Sequence, residues 1–171
     1  MISERMQEAL NEQVNKEFYS AYMYLAMSAY CENLGLPGFA HWMRMQYDEE
    51  SLHITKMYDY ILDQGGRVHL KTIEEPPQEY GTPLEIFETT LEHERFVTGL
   101  IHKLMDLAVD DHDYATQTFL QWYVTEQVEE ESNVNDVVAP LRMVGEDKGG
   151  LMMIDQQLAV RAVPMMPSAV N

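Results

Sequence analysis

Apolar residues recur every three or four positions along most of this chain, the period of a helix with one buried face. From Ser3 to about Asn33, Leu10, Val14, Ala21 and Met27 mark such a face, and Gly35 closes the segment. Pro37 suits the first turn of a second helix, which runs to about Gln64 and stops at Gly65 and Gly66. Residues 65–82 show no helical period and include the adjacent Pro76 and Pro77. A third helix opens at Pro83, where Thr82 can cap and Glu85 can complete a capping box, and it runs to about Val109. A fourth spans about 113–144, with a kink or break expected at Pro140, which has no N–H to donate. A short fifth spans about 148–161, and residues 162–171 are expected to form a flexible tail.

Short turns after the first and third helices predict two antiparallel hairpins. The connection between them has 18 residues and could span roughly 55 Å when extended. A helix of about 28 residues is about 42 Å long. The crossover can therefore run the length of the molecule and set helices two and three parallel. The reading is a single all-α domain over 1–161, a four-helix bundle with one long crossover and a short extra helix.

Polar residues interrupt the apolar rows at one level. Seven-residue steps give Leu10, Glu17, Tyr24, Cys31 on the first helix and Met43, Glu50, Met57 on the second, beside Gln46, His53, Tyr60. The third helix gives Phe87, Glu94, Ile101. The fourth gives Leu120, Gln127, Val134, Leu141 beside Tyr123, Glu130, Val137. Glu17 and Glu94, Glu50 and Gln127, and His53 and Glu130 are each 77 residues apart. The two hairpins thus read as copies, with Glu50-x-x-His53 in one answered by Gln127-x-x-Glu130 in the other. Residues at i and i+3 share a helix face, so all six can converge. Four buried carboxylates at one level are costly to ionise without compensation, which favours metal over a protonated cluster. Oxygen donors with one imidazole suit iron or manganese, and the lack of thiolates argues against a thiolate-rich zinc site. A Glu on two helices with E-x-x-H on the others is a di-metal pattern, here with the second E-x-x-H replaced by Q-x-x-E.

Charge narrows the partners. The chain of 171 residues carries 29 acids against 11 bases, a formal net charge of −18. This argues against nucleic acid and anionic membranes as partners. It fits a protein that handles cations, as well as one merely kept soluble. Cys31 is alone, so no intrachain disulfide can form. No apolar run approaches a membrane span, and the amphipathic start has no signal-like apolar stretch, so a cytoplasmic protein is expected.

The stretches LNEQVNKEFYS, DEESLH, FLQWYVTEQVEEE and GLMMIDQQL together resemble the bacterial non-haem ferritins, over about Met1 to Arg161. That resemblance implies a ferritin-like fold, a homo-oligomeric cage of twenty-four subunits, and ferroxidase activity within each subunit. Fe(II) and O2 would be the substrates, and a ferric oxyhydroxide mineral the stored product. Carried over by position, Glu17, Glu50 and His53 hold a first iron, with Glu50 bridging. Glu94 and Glu130 hold a second, with Gln127 beside it, and Tyr24 donates an electron or a hydrogen bond. It also implies a third iron site from Glu49, Glu126, Glu129 and Glu130; the alternative is an acidic wall that gathers cations loosely. Glu131 lies on another face and has no metal role. Ser51 stands where haem-binding relatives carry methionine, so no haem is expected. His41, His69, His93, His102 and His112 read as surface or packing residues. Trp42 and Trp122 read as packing, with Trp122 near the third site. The thirteen methionines read as core and interface filler, Met165 and Met166 excepted because they fall in the tail. A competing reading is a di-iron oxidase or peroxidase of the same superfamily that keeps its metals as a fixed cofactor.

Overall fold

The computed structural model describes residues 2–162. Among them are five helices and no strand: α1 (Glu4–Asn33), α2 (Pro37–Asp63), α3 (Pro83–Asp110), α4 (Tyr114–Val144) and α5 (Lys148–Leu158). The expected flexible tail falls, apart from Ala162, outside the described residues, as do Met165 and Met166.

Local signals set the helix ends. Ser3 Oγ accepts from the Met6 N–H at 3.1 Å at the start of α1. At its end Gly35 takes a φ of +74°, open to glycine without strain, and the Leu36 N–H reaches back to the Cys31 carbonyl at 3.1 Å. Thr82 and Glu85 form the capping box at α3. Asp113 Oδ1 caps α4 through the Thr116 N–H at 3.0 Å. α2 lacks a capping side chain of its own. Its first N–H groups, on Gly38 and Phe39, are instead bound by Asp155 Oδ1 of α5, at 2.7 and 3.0 Å. A Cβ at Gly38 would stand 1.7 Å from the Asp155 carbonyl oxygen, so glycine is what permits this approach. α5 is thereby fastened on the positive end of the α2 dipole.

The crossover makes the topology readable. Gln7 Oε1 accepts from the Arg67 N–H at 2.7 Å, and Asn11 Oδ1 from the His69 N–H at 2.7 Å. Farther on, Tyr30 Oη donates to the Gly81 carbonyl at 3.2 Å. Ascending numbers match on both strands of contact, so the crossover runs parallel to α1. α2 and α3 therefore both run against α1 and are parallel to each other, completing a four-helix bundle with a short fifth helix.

Two details differ from the sequence reading. α4 is continuous through Pro140 rather than broken. Proline deprives only the Asp136 carbonyl of a helical donor, and Asp136 is exposed, where water can take that place. α5 ends at Leu158, three residues before Arg161. The chain turns there and lays Arg161 back on α2, as described below.

The core is split. One apolar cluster holds Met27, Phe39, Trp42, Met43, Phe87, Leu91, Val138 and Leu141. A second holds Met6, Leu10, Met57, Ile61, Ile101, Leu104 and Leu120. The polar residues of the repeat lie between these two plugs.

Candidate metal centre

All six repeat residues are buried: Glu17, Glu50, His53, Glu94, Gln127 and Glu130 are each at most 3% exposed. Apolar rows above and below each one carry it to the same level of the bundle. Donor atoms of Glu17, Glu50 and His53 all lie within 4.8 Å of one another, as do those of His53, Glu126 and Glu130.

In the first hairpin two acids face each other. Gln13 Nε2 donates to Glu17 Oε1 at 2.7 Å, which fixes that carboxylate from one side. Glu17 Oε2 and Glu50 Oε2 have no hydrogen-bond donor. His53 Nδ1 stands 3.3 Å from Glu50 Oε2, a close approach without hydrogen-bond geometry. His53 Nε2 is buried and unpartnered. In the second hairpin the equivalent pair is satisfied. Gln127 Nε2 donates to Glu94 Oε2 at 3.2 Å and to the Glu94 carbonyl at 3.3 Å. Tyr24 Oη of α1 donates to Glu94 Oε1.

The hairpins also reach into each other. Gln46 Nε2 on α2 donates to Glu130 Oε2 on α4 at 2.9 Å. Tyr123 Oη on α4 donates to the His53 carbonyl on α2 at 2.8 Å. Gln46 and Tyr123 are themselves 77 residues apart, so equivalent positions brace the opposite copy.

Charge is dense enough here to move the titration of its own members. Burial lifts the Glu50 carboxyl well above the usual range, with the charges of Glu17 and Glu94 adding to it. Burial lifts Glu130 to about 8, with Glu94 and Glu49 adding. Burial lifts Glu94 to about 7, held back by the Tyr24 and Gln127 hydrogen bonds. Burial and the facing acids raise the Tyr24 hydroxyl well above 10. Protons or divalent cations are the two ways to relieve such a cluster. The donorless oxygens of Glu17, Glu50 and Glu130 and the free imidazole nitrogen of His53 form a set that fits cations.

The residues of the third site are not all brought together. Glu126 Oε1 is 3.9 Å from His53 Nε2, and Glu130 belongs to the same cluster. Glu129 is exposed to solvent. The Glu49 carboxylate is engaged by Arg161 at 2.7 Å. Trp122 lies edge-on to the His53 ring, with centroids 5.4 Å apart. Glu131 accepts from Thr98 Oγ1 at 2.7 Å and faces Arg95, away from the centre. His93 is packed between Tyr19 and Tyr24, and its Nε2 is 2.7 Å from Ser20 Oγ.

Four bracing residues had no role assigned from sequence: Gln13, Gln46, Tyr123 and Arg161. Gln46 and Tyr123 did stand in the rows of His53 and Glu130, and their shared interval of 77 was the available signal. Gln13 precedes Glu17 by one helical turn. Arg161 gave no signal, because its partner lies 112 residues away.

Comparison with known proteins places this architecture. The Ferritin-like domain family matches residues 7–144. A bacterial non-heme ferritin of Bacteroides fragilis (strain 638R) is 45% identical over 94% of this chain and its own full length. One from Staphylococcus epidermidis is 42% identical over 95% of this chain and 98% of its own. Crystal structures of an open-pore ferritin from the hyperthermophilic archaeon Archaeoglobus fulgidus include one with a TM-score of 0.94 and 51% identity. That match covers 95% of this chain and all of the other. A humanized archaeal ferritin superposes with a TM-score of 0.95 at 48% identity, over 96% of this chain and all of its own. No helix among the described residues is long and apolar enough to cross a membrane. The chain belongs to the ferritin family, among the bacterial non-haem ferritins.

Proposed function

We propose that this chain is a ferroxidase and iron-storage subunit. It takes two Fe(II) ions as substrate in the buried belt, passes their electrons to O2, and releases Fe(III) to be stored as a ferric oxyhydroxide mineral. The observation that carries this reading is the set of donorless buried oxygens of Glu17, Glu50 and Glu130 beside the unpartnered His53 Nε2. A merely structural polar belt would have its groups paired.

Each residue then has a task. Glu17, Glu50 and His53 receive the first ion, and Gln13 keeps Glu17 aimed inward. Glu94 and Glu130 receive the second, with Gln46 orienting Glu130 and Gln127 donating beside Glu94. Glu50, whose carboxyl feels the charges of both Glu94 and Glu130, would serve both ions. Tyr24 holds a proton next to Glu94, where it can give a hydrogen bond or an electron to the reacting centre. Each ion gives one electron, and O2 takes both with two protons from solvent and leaves as hydrogen peroxide. The protein contributes position and a matched negative field rather than a covalent group. Glu126 and Glu130 supply a third and looser station for iron on its way out, with Glu49 and Glu129 close by. The assembly is a closed homo-oligomeric cage of twenty-four chains in the cytoplasm, and its interior holds the mineral.

Aerobic addition of Fe(II), with oxygen uptake and a mineral assay, tests this. The expected result is rapid oxidation and a soluble iron core in a particle of several hundred kilodaltons. Fast oxidation by a dimer that retains its iron and builds no core would favour the oxidase reading instead.

A further inference from the structure

The chain beyond α5 returns to α2 and takes hold of it next to the metal centre. The Arg161 carbonyl is 2.9 Å from His41 Nε2. Its guanidinium lies 4.4 Å over the Trp42 ring, and one nitrogen reaches the Trp42 carbonyl at 3.4 Å. The other is 2.7 Å from Glu49 Oε2. The Arg161 and Glu49 side chains are only 18% and 17% exposed, so this ion pair is far better shielded than one at the surface. All four contacts are on α2, within the stretch that leads into Glu50 and His53.

Glu49 is one residue from Glu50, and its charge is felt at Glu94, Glu126 and Glu130. It is therefore near the His53, Glu126 and Glu130 group without being a member of it. That group adds Glu126, whose Oε1 lies 3.9 Å from His53 Nε2, to the edge of the two-ion belt. The ion pair supplies the reason for Glu49's absence. A stacked, largely buried guanidinium on Glu49 Oε2 draws that carboxylate toward itself and already meets part of its charge, which weakens it as a metal ligand.

We propose that Arg161 is a positioning residue that holds Glu49 out of the third iron station and so keeps that station weak. Iron reaching it meets Glu126 and Glu130 but not the full acid set, and moves on. When Arg161 swings off α2, Glu49 becomes available and the station tightens. The C-terminal segment then sets how long iron pauses between oxidation and storage. This rests on the two-metal reading above.

The test is an anaerobic titration of the assembled protein with Co(II), followed by calorimetry and by the visible bands of the bound ion. The parent should bind two ions of unequal affinity and a third more weakly than either. Arg161→Gln should tighten the third by about tenfold and leave the first two in place, an effect typical of altering a residue that orients a ligand. Arg161→Lys, which keeps the charge but loses the planar fork, should fall between. The gain should vanish in Glu49→Gln/Arg161→Gln. An unchanged third ion in Arg161→Gln, or a gain that survives the double substitution, overturns the proposal. If Arg161→Gln does not fold, Arg161→Lys decides alone: a third ion no tighter than in the parent refutes the role. A parent that binds no Co(II) contradicts the two-metal reading itself, and this proposal falls with it.

Discussion

In the first hairpin Glu50 faces Glu17; in the second, at the equivalent place, Gln127 faces Glu94. Two carboxylates meet in one case, while an amide donates to a carboxylate at 3.2 Å in the other. The first pair is left with donorless oxygens on both partners. The second is satisfied without any ion, and Tyr24 adds another donor to Glu94. The copies share backbone and register yet differ in what they require. The Glu17–Glu50 pair needs a cation or a proton to be stable, and the Glu94–Gln127 pair depends on one less. Such an arrangement binds one ion firmly and holds its neighbour loosely, which suits a site that must hand iron on.

The largest break in this comparison comes from removing an acid. Glu17→Ala and Glu94→Ala should each slow initial Fe(II) oxidation by about 100-fold or more in stopped-flow absorbance, since even residues that orient ligands cost 10–100-fold. Oxidation at the parent rate in both would remove the site assignment. Making the halves alike comes next. Gln127→Glu places two acids face to face in the second hairpin, so the second ion should bind about tenfold tighter and leave more slowly. Unchanged second-ion affinity and turnover would mean the amide has no such role. Tyr24→Phe should be milder, slowing oxidation several-fold while leaving the fold intact by circular dichroism.

The smallest effect is on stability. Glu94 at about 7 and Glu130 at about 8 lie above their ordinary values. Between pH 4.5 and 8 the folded metal-free chain therefore holds protons that the unfolded chain has released. Stability from these groups is fully present below about pH 4.5 and declines as pH rises toward 8. Thermal melts of the metal-free protein should drop in Tm from pH 5.5 to 8, and Glu94→Gln/Glu130→Gln should flatten that slope. Metal affinity should run the other way, strengthening as pH rises, because each ion displaces protons.

Much of this was legible in the sequence, for physical reasons. Thr82 and Glu85 sit three apart, so their capping box is a local pattern that the structure reproduces. Gly35 and Gly65 marked helix ends because both take positive φ. The six belt residues stood out as polar interruptions of apolar rows, and the interval of 77 tied them into one level. What escaped has no period. Asp155 caps α2 from 117 residues away, and Arg161 grips Glu49 from 112. The end of α5 was misplaced for the same cause, since the Arg161 contacts on α2 end the helix and leave no mark in its apolar spacing. Pro140 does not break α4, because an exposed carbonyl can lose its helical donor without the helix stopping.

The direct measurement is an anaerobic Fe(II) titration of the assembled protein by calorimetry, run in two buffers of different ionisation enthalpy. The account predicts two ions per chain of unequal affinity, ahead of a weaker third, with protons released on binding near neutral pH. It further predicts that Glu94→Ala keeps the tighter ion and loses the weaker one. Two ions of equal affinity that survive Glu94→Ala, or binding with no proton release, would contradict it.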